Sequence, residues 1–210
     1  MHGSHEELIE QVSSIVRSRM ATQGAGHGYD HIQRVWRTAC HLQEICGGDQ
    51  LVIELAALLH DIGDAKFNHG KECSKEFSVE ILEGLGVEPS IIHHVAQIVD
   101  NISFRKRASA EPLSLEGQVV QDADRLDALG AIGIVRTIEF GVAFDQPFYD
   151  PESGLHDGEY QKTGVGHFYE KLFKLRDLMN TKAAREVAKN REDFMRGFIT
   201  QFELEWKGQG

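Results

Sequence analysis

The first residues with the types and spacing for chemistry are His60 and Asp61, which stand side by side after an apolar run over 55–59. Neighbouring residues on a helix point about 100° apart, which is close to the angle between adjacent ligands of an octahedral ion. An imidazole beside a carboxylate suits a borderline divalent metal. His-Asp pairs are also common on protein surfaces, so this pair predicts a metal site only if other parts of the chain supply further ligands.

Two other polar residues, His31 and Asp124, interrupt apolar helical patterns and could supply those ligands. Buried imidazoles and carboxylates are costly unless they are paired or bound to a metal. Three helices could therefore bring two histidines and two aspartates to one ion and leave positions for water and substrate. A plainer interpretation of His31 is a core histidine or a histidine at a helix start.

The role of Asp124 stays open on spacing alone. Asp124 could equally be a carboxylate on a helix face that pairs with Arg125 or Arg136. Asp122 and Asp127 lie close to it in sequence and compete for the same metal-ligating role. The pattern of residues by itself does not rank these three carboxylates.

Helices must position these residues, because apolar residues recur at spacings of three and four almost throughout the chain. Asp30 is the predicted cap of the second helix and Asp49 that of the third, which is expected to run to Gly63. Strand-like alternation with hairpin turns and internal repeats are not found, so the sequence predicts an all-α fold. The predicted helices cover 8–20, 30–46, 49–63, 71–85, 88–102, 115–140 (as one helix or two), 166–179 and 181–206.

Composition indicates an ordinary globular protein of 210 residues, with 41% hydrophobic and 26% charged residues. A net charge of −11 argues against binding to extended nucleic acid or to a membrane surface, which requires a basic face. Apolar runs are too short to span a membrane, and the polar start does not resemble a signal peptide. The three cysteines, Cys40, Cys46 and Cys73, lack metal-type spacing and suggest reduced thiols. We therefore expect a soluble cytoplasmic protein, and the sequence leaves its oligomeric state open.

The order His31, His60-Asp61, Asp124 resembles the H…HD…D signature of the HD superfamily of metal-dependent phosphohydrolases. The flanking segments 28–35, 58–63, 122–129 and 167–172 also resemble segments of this family, in the expected order. The resemblance is to the bacterial stand-alone HD hydrolases and covers residues 26–206. It implies a single HD-domain helical bundle with additional C-terminal helices.

Within that resemblance, the expected organisation is an N-terminal helix packing on the core (1–25), an HD core (26–140), a long loop (141–164) and C-terminal helices of the same domain (165–210). The loop holds two prolines, several glycines and aromatic residues. Loops of this length are uncommon unless they are functional or disordered. A surface excursion and a lid that covers the substrate fit its composition equally well.

The resemblance also implies the metal ligands, which are His31, His60, Asp61 and Asp124. It selects Asp124 over the two neighbouring aspartates, because the family residue follows a small residue and precedes a basic or polar one. The implied cofactor is a divalent metal ion, manganese first, with Mg, Fe, Co, Ni or Zn as alternatives. Many family members carry HDxGK, whereas this chain has Asp64 at the lysine position and Lys66 two residues later.

Further residues are candidates for contacting the attacking water or the substrate. Asp61 and Asp64 are the predicted catalytic carboxylates, since Asp64 could orient or deprotonate the attacking water; it could equally cap the following turn. His94 could also bind a second metal or be a structural histidine, and the charges at 105–106 could be a solvated helix end. The predicted substrate-binding residues are His27, Arg34, Lys66, His94, Arg105 and Lys106.

The expected function is a metal-dependent phosphohydrolase acting on a small phosphorylated substrate, most plausibly a nucleotide. The reaction could convert a nucleoside triphosphate to the monophosphate and pyrophosphate. Two alternatives remain: a regulatory or ligand-binding HD domain without turnover, and a di-iron oxygenase on the same helical frame. The second alternative requires further histidines and two metals.

Overall fold

The computed structural model describes residues 4–21, 28–64, 71–102, 112–151 and 162–210. The prediction of an all-α fold is confirmed, because these residues form nine α-helices with short 3₁₀ turns and no strand. The helices are α1 (His5–Arg19), α2 (Tyr29–Cys46), α3 (Gln50–Leu59), α4 (Ser74–Gly84), α5 (Pro89–Asn101), α6 (Leu115–Asp127), α7 (Gly130–Ala143), α8 (Gly164–Glu170) and α9 (Lys182–Trp206).

Helix α3 is the centre of the first of two compact units, which comprises Met1–Ala123. Every residue from Val52 to Leu59 is buried. Helices α1, α2 and α5 pack against α3, and α4 packs against α5. Because burying one large aliphatic side chain contributes about 1.5–3 kcal/mol, this helix is a major source of the stability of the unit. It also ends directly before His60 and Asp61.

The two predicted aspartate caps have different outcomes. Asp49 caps α3 as predicted, since its Oδ1 accepts a hydrogen bond from the Val52 N–H at 3.1 Å. The prediction for Asp30 is wrong, because α2 begins at Tyr29 and its N-cap is Gly28. Asp30 instead lies in the first helical turn, where a carboxylate interacts favourably with the positive end of the helix dipole.

Several predicted helices end elsewhere. The third ends at Leu59 rather than Gly63, because residues 60–63 form a turn. The segment predicted over 115–140 forms two helices, α6 and α7, separated near Gly130, whose φ of +75° favours glycine. The segment predicted over 166–179 forms the short helix α8 followed by 3₁₀ turns.

The second compact unit comprises Asp124–Gly210 and is built on α7, which packs against α8 and α9. Aromatic side chains fill it: the Phe148 ring contacts three phenylalanines of α8 and α9, at centroid distances from 5.4 to 6.3 Å. Edge-to-face contacts of this kind stabilise beyond their buried area. None of the helices in the described part of the chain is long and apolar enough to cross a membrane.

The predicted loop over 141–164 is anchored at both of its described ends. Helix α7 runs to Ala143, so the first residues of the predicted loop are helical. The Gly164 N–H donates to the Pro147 carbonyl at 3.0 Å, and the Val165 N–H donates to the Phe148 carbonyl at 2.8 Å. Residues 152–161 lie outside the described residues, so the lid stays a prediction.

Candidate metal centre

The His60 ring is held in one orientation directly after α3. His60 follows the last helical residue, Leu59, and only 5% of it is exposed. Its Nδ1 lies 2.9 Å from the carbonyl oxygen of Ala57. Because a carbonyl oxygen can only accept, Nδ1 carries the proton and donates it, and Nε2 of the neutral ring keeps its lone pair. A histidine held in this way is prepared to bind a metal through Nε2.

His31 and Asp61 lie beside that ring. His31 is in the first turn of α2 and is buried, and its ring centroid lies 5.3 Å from that of His60. The Oδ2 atom of Asp61 lies 3.6 Å from Nε2 of His60 and 3.7 Å from Nε2 of His31. Both separations exceed the usual length of a hydrogen bond. The three side chains thus converge on a common space.

Gly63 fixes the turn that carries His60 and Asp61. The Gly63 N–H donates to the Ser74 hydroxyl at 3.2 Å, and the Gly63 carbonyl accepts from the Cys73 N–H at 3.0 Å. A Cβ atom at position 63 would lie 2.6 Å from the carbonyl carbon of Cys73. The close approach of the two backbones therefore requires glycine, and it holds the turn against the start of α4.

The three aspartates that spacing could not rank have different surroundings. Asp124 is half-buried on α6. Asp127 instead forms an ion pair with Arg136 at 2.6 Å, and Asp122 is fully buried. The boundary between the two compact units falls just before Asp124, within the continuous helix α6.

These donors fit a divalent metal ion. Ligands of one such ion lie roughly 3–4.4 Å apart when each is about 2.1–2.2 Å from it, and the spacings of the Asp61 carboxylate from the two imidazoles fall in that range. Two neutral imidazoles and two carboxylates balance a double positive charge. A mixed nitrogen and oxygen set also suits Mn, Fe, Co, Ni or Zn better than an ion that binds oxygen alone.

A small cavity of about 60 Å³ opens beside His60 in the first unit. It has room for a few water molecules. Lys75 is the one cationic residue in its described lining, and its Nζ lies 3.1 Å from Oδ2 of Asp100. The described part of the lining is therefore acidic apart from this ammonium group. Its described lining consists of His60, Asp61, Asp64, Glu72, Lys75, Glu76, Val99, Asp100 and Ile102.

The other predicted site residues lie in several places. Asp64 lines the same cavity, and its N–H donates to the Asp61 carbonyl at 3.2 Å. Arg34 is half-buried on α2, one turn after the predicted ligand of that helix. His94 contacts the Ser114 hydroxyl at 2.9 Å and lines a different cavity. The predictions for His27, Lys66, Arg105 and Lys106 fall outside the described residues.

The contribution of α4 and α5 to this cavity was not predicted from the sequence. Lys75 and Asp100 look like ordinary surface charges in the sequence, because their contact joins two helices. The sequence gives only a weak indication that Glu72 lies near the site. Glu72 precedes Ser74 by two residues, and the Ser74 hydroxyl contacts the turn at Gly63. Its Oε1 accepts from the Ser74 N–H at 3.0 Å and from the Ser74 hydroxyl at 2.5 Å.

The chain is similar to known proteins over much of its length. The HD domain family matches residues 28–129. The Bacillus subtilis protein YpgQ is 37% identical over 201 residues, which is 95% of this chain and 94% of that protein.

Two solved structures are similar over nearly the whole chain. An HD-superfamily hydrolase from Bacillus thuringiensis is 41% identical with a TM-score of 0.82, covering 98% of this chain and 100% of that one. A crystal structure of Bacillus subtilis YpgQ in complex with ADP is 34% identical with a TM-score of 0.81, covering 96% of each chain. The chain therefore belongs to the HD superfamily of metal-dependent phosphohydrolases, as the order of its histidine and aspartate motifs predicted.

Proposed function

We propose that this protein hydrolyses a nucleotide with a divalent metal ion held by His31, His60, Asp61 and Asp124. The observation that carries the proposal is the convergence of the His31 and His60 imidazoles on the Asp61 carboxylate, whose Oδ2 lies 3.7 and 3.6 Å from their Nε2 atoms. The Nδ1–H of His60 donates to the Ala57 carbonyl, which leaves Nε2 to face this carboxylate. A divalent ion held there supplies a Lewis acid and lowers the pKa of a bound water.

The chain's own residues would position and deprotonate the attacking water. Asp64 lines the cavity beside His60, which supports it as the carboxylate that accepts a proton from the water. Glu72 lines the same cavity and is a second candidate for this role. Among the described residues of the cavity, Lys75 is the cation that could contact a phosphate oxygen. Its ammonium group would then exchange its contact with the Asp100 carboxylate for one with the phosphate.

A nucleotide is the proposed substrate because the similar protein YpgQ has been crystallised with ADP. We infer the cleavage of a nucleoside triphosphate and water to the monophosphate and pyrophosphate. Extended nucleic acid is a poor candidate, since the chain carries a net charge of −11. All three cysteines are free thiols, which fits the reducing cytoplasm as the proposed location.

The test is a metal-dependent assay on the purified protein. After chelation, Mn, Mg, Fe, Co, Ni or Zn is added back with nucleoside tri-, di- and monophosphates and simple phosphate esters. Phosphate and pyrophosphate are scored separately by phosphorus NMR. We expect manganese-stimulated release of pyrophosphate from a triphosphate.

Two variants of α6 give the matched comparison. Asp124→Asn should lower kcat by at least about 10³-fold, since it removes a proposed ligand. Asp127→Asn should keep metal-dependent turnover and lower only the melting temperature, because Asp127 pairs with Arg136. Equal activity of Asp124→Asn and the wild type would refute the proposed site. Metal binding without turnover would favour a regulatory domain, and two bound irons with oxygen consumption would favour an oxygenase.

A further inference from the structure

Tyr29 lies in the first turn of α2, two residues before the proposed ligand His31. Its phenol oxygen meets three side chains. The nearest is Oγ of Ser13, a residue of α1, at 2.5 Å. The other two are nitrogen donors, Nη2 of Arg17 on α1 at 3.5 Å and Nε2 of Gln33 on α2 at 3.4 Å. Because both nitrogens can only donate, the phenol proton is left for the Ser13 oxygen. The Tyr29 hydroxyl is therefore bonded to both helices.

The ring of Tyr29 makes a further contact with α1. The guanidinium carbon of Arg17 lies 4.7 Å from the ring centroid, a separation typical of a cation–π interaction. Ser13 and Arg17 are four residues apart, so they lie on one side of α1. Helix α1, whose Val12 and Val16 are completely buried, packs against α3. One helix thus contacts both α3 and the first turn of α2.

The start of α2 lacks a side-chain cap. Its N-cap is Gly28, which has no side chain to accept from the first N–H groups, whereas Asp49 caps α3. Helix ends without such partners fray more easily. Fraying of this turn would displace His31, whose N–H is bonded to the Gly28 carbonyl at 3.0 Å within it. The bond from Tyr29 to α1 can restrain the turn in place of a cap.

The position of His31 has to be accurate for metal binding. Ligands must be held within about 0.5 Å of the geometry that binds the ion. Nε2 of His31 lies 3.7 Å from Oδ2 of Asp61, and its ring centroid lies 5.3 Å from that of His60. The His60 ring is oriented by its contact with the Ala57 carbonyl on α3. The bond from Tyr29 to α1 supplies the corresponding restraint on the helix that carries His31.

We propose that Tyr29 is a positioning residue for the metal centre, in that its hydroxyl, bonded to Ser13, holds the first turn of α2 against α1 and keeps His31 in place. This role rests on the metal site of the proposed function and extends it to helix α1. A turn that is in place for only part of the time lowers the apparent affinity for the ion by that fraction. The chemistry of molecules that have bound the ion stays the same. Loss of the bond should therefore weaken metal binding without lowering kcat at saturating metal.

The test is Tyr29→Phe, which removes the hydroxyl and keeps the ring beside Arg17. Calorimetric titration of the metal-free protein should show manganese affinity lowered by about 3- to 10-fold, the equivalent of one hydrogen bond. The manganese concentration for half-maximal turnover should rise by the same factor, and kcat at saturating manganese should stay within about twofold of the wild type. Ser13→Ala should have the same effect, and the double variant should have no more than either single one.

Arg19→Met is the matched control. Arg19 also joins α1 to another helix, since its Nη2 donates to Oε1 of Glu80 on α4 at 3.2 Å. Methionine keeps an apolar side chain beside the Phe77 ring. This variant should bind manganese like the wild type. Hydrogen exchange of the metal-free protein gives a readout without any ion: segment 29–35 should exchange about 3- to 10-fold faster in Tyr29→Phe and at the wild-type rate in Arg19→Met.

Each outcome separates the positioning role from the site itself. A Tyr29→Phe protein that binds manganese like the wild type would overturn the role even if its melting temperature fell, because the bond would then stabilise only the fold. Equal weakening by Arg19→Met would overturn it too, since any loosening of α1 would have the same effect. Both results leave the metal site standing. A wild type that binds none of the ions would refute the site and the role together. If Tyr29→Phe fails to fold, Ser13→Ala replaces it.

Discussion

Two clusters in the first compact unit set a carboxylate against an imidazole, and they differ in spacing. In one, Oε2 of Glu54 lies 2.9 Å from Nε2 of His5, and Oε1 accepts from the Gln50 amide at 3.0 Å. In the other, Oδ2 of Asp61 stands 3.6 and 3.7 Å from its two imidazole nitrogens. The first cluster is closed by hydrogen bonds within the chain, whereas the second has spacings suited to a shared ion.

Burial and spacing distinguish a hydrogen-bonded structural pair from a candidate metal site. Glu54 is buried in the middle of α3 and is 7% exposed, so the desolvation of its carboxylate must be offset by hydrogen bonds. Asp61 lies beyond the end of the same helix, in a turn that Gly63 holds in place. Burial of an acidic residue beside a histidine is therefore weak evidence for metal binding. A carboxylate oxygen and imidazole nitrogens that converge at distances longer than a hydrogen bond are stronger evidence.

The largest difference between the two clusters is expected when each carboxylate is neutralised. Asp61→Asn should weaken the binding of manganese by at least about 100-fold, because it removes a proposed ligand. Glu54→Gln should leave that affinity unchanged and destabilise the fold by about 1–2 kcal/mol, because the amide keeps some of the hydrogen bonds. Calorimetric titration with manganese measures the affinity, and urea unfolding measures the stability. Equal losses of affinity would mean that the two clusters do not differ in function.

The fold was largely predictable because the spacing of apolar residues along the sequence indicates which face of each helix is buried. The stripes of the apolar helices and the Asp49 cap are local signals, and the structure confirms them. Helix ends that depend on tertiary contacts were predicted less well. The third helix ends at Leu59 because the turn that follows it is hydrogen-bonded to Ser74, at the start of α4. The residues near position 59 give no indication of this distant contact.

The candidate site was predictable in part, because some of its residues also belong to local sequence patterns. The histidines and aspartates stand in recognisable motifs, and the resemblance ranked Asp124 above Asp127 where spacing could not. The cavity residues of α4 and α5 were missed, because Lys75 and Asp100 acquire their position from a contact across 25 residues of chain. Glu54 interrupts an apolar run without a visible partner, since His5 is distant in the sequence.

A smaller effect is expected from Gly63→Ala, which tests whether the turn positions the second cluster. The new methyl group would lie 2.6 Å from the Cys73 backbone, so the turn must shift at a cost of about 1–3 kcal/mol. The melting temperature should fall by about 3–10 °C, and manganese affinity should fall with it.

The control for that variant is Gly84→Ala. Gly84 ends α4, and an added Cβ there meets nothing within 4 Å. Alanine should therefore leave the protein unchanged or stabilise it by up to about 1 kcal/mol. Differential scanning fluorimetry with and without manganese compares the two variants. A Gly63→Ala protein that melts and binds manganese like the Gly84→Ala protein would contradict a positioning role for the turn.

The smallest expected effect concerns Cys40, which belongs to the closed cluster. Burial, and then the nearby Glu54 carboxylate, raises the pKa of the Cys40 thiol from 9.0 to about 12. Alkylation should therefore be slow at pH 8 and should increase about tenfold per pH unit up to pH 10, because the thiolate is the nucleophile. Unfolding returns the thiol to its ordinary pKa, so this group lowers stability as the pH rises from 9.0 toward 12.

Glu54→Gln removes the negative charge and leaves the burial. The Cys40 thiolate should then form more readily, and its alkylation at pH 8 should accelerate by about 3- to 10-fold. Mass spectrometry of iodoacetamide-treated protein measures the rate, with Cys46 in the same sample as the internal reference. The Asp61→Asn protein should alkylate at Cys40 like the wild type, because Asp61 is not among the groups that raise this pKa. An equal acceleration in both variants would indicate general loosening of the first unit and would remove the distinction between its two carboxylate clusters.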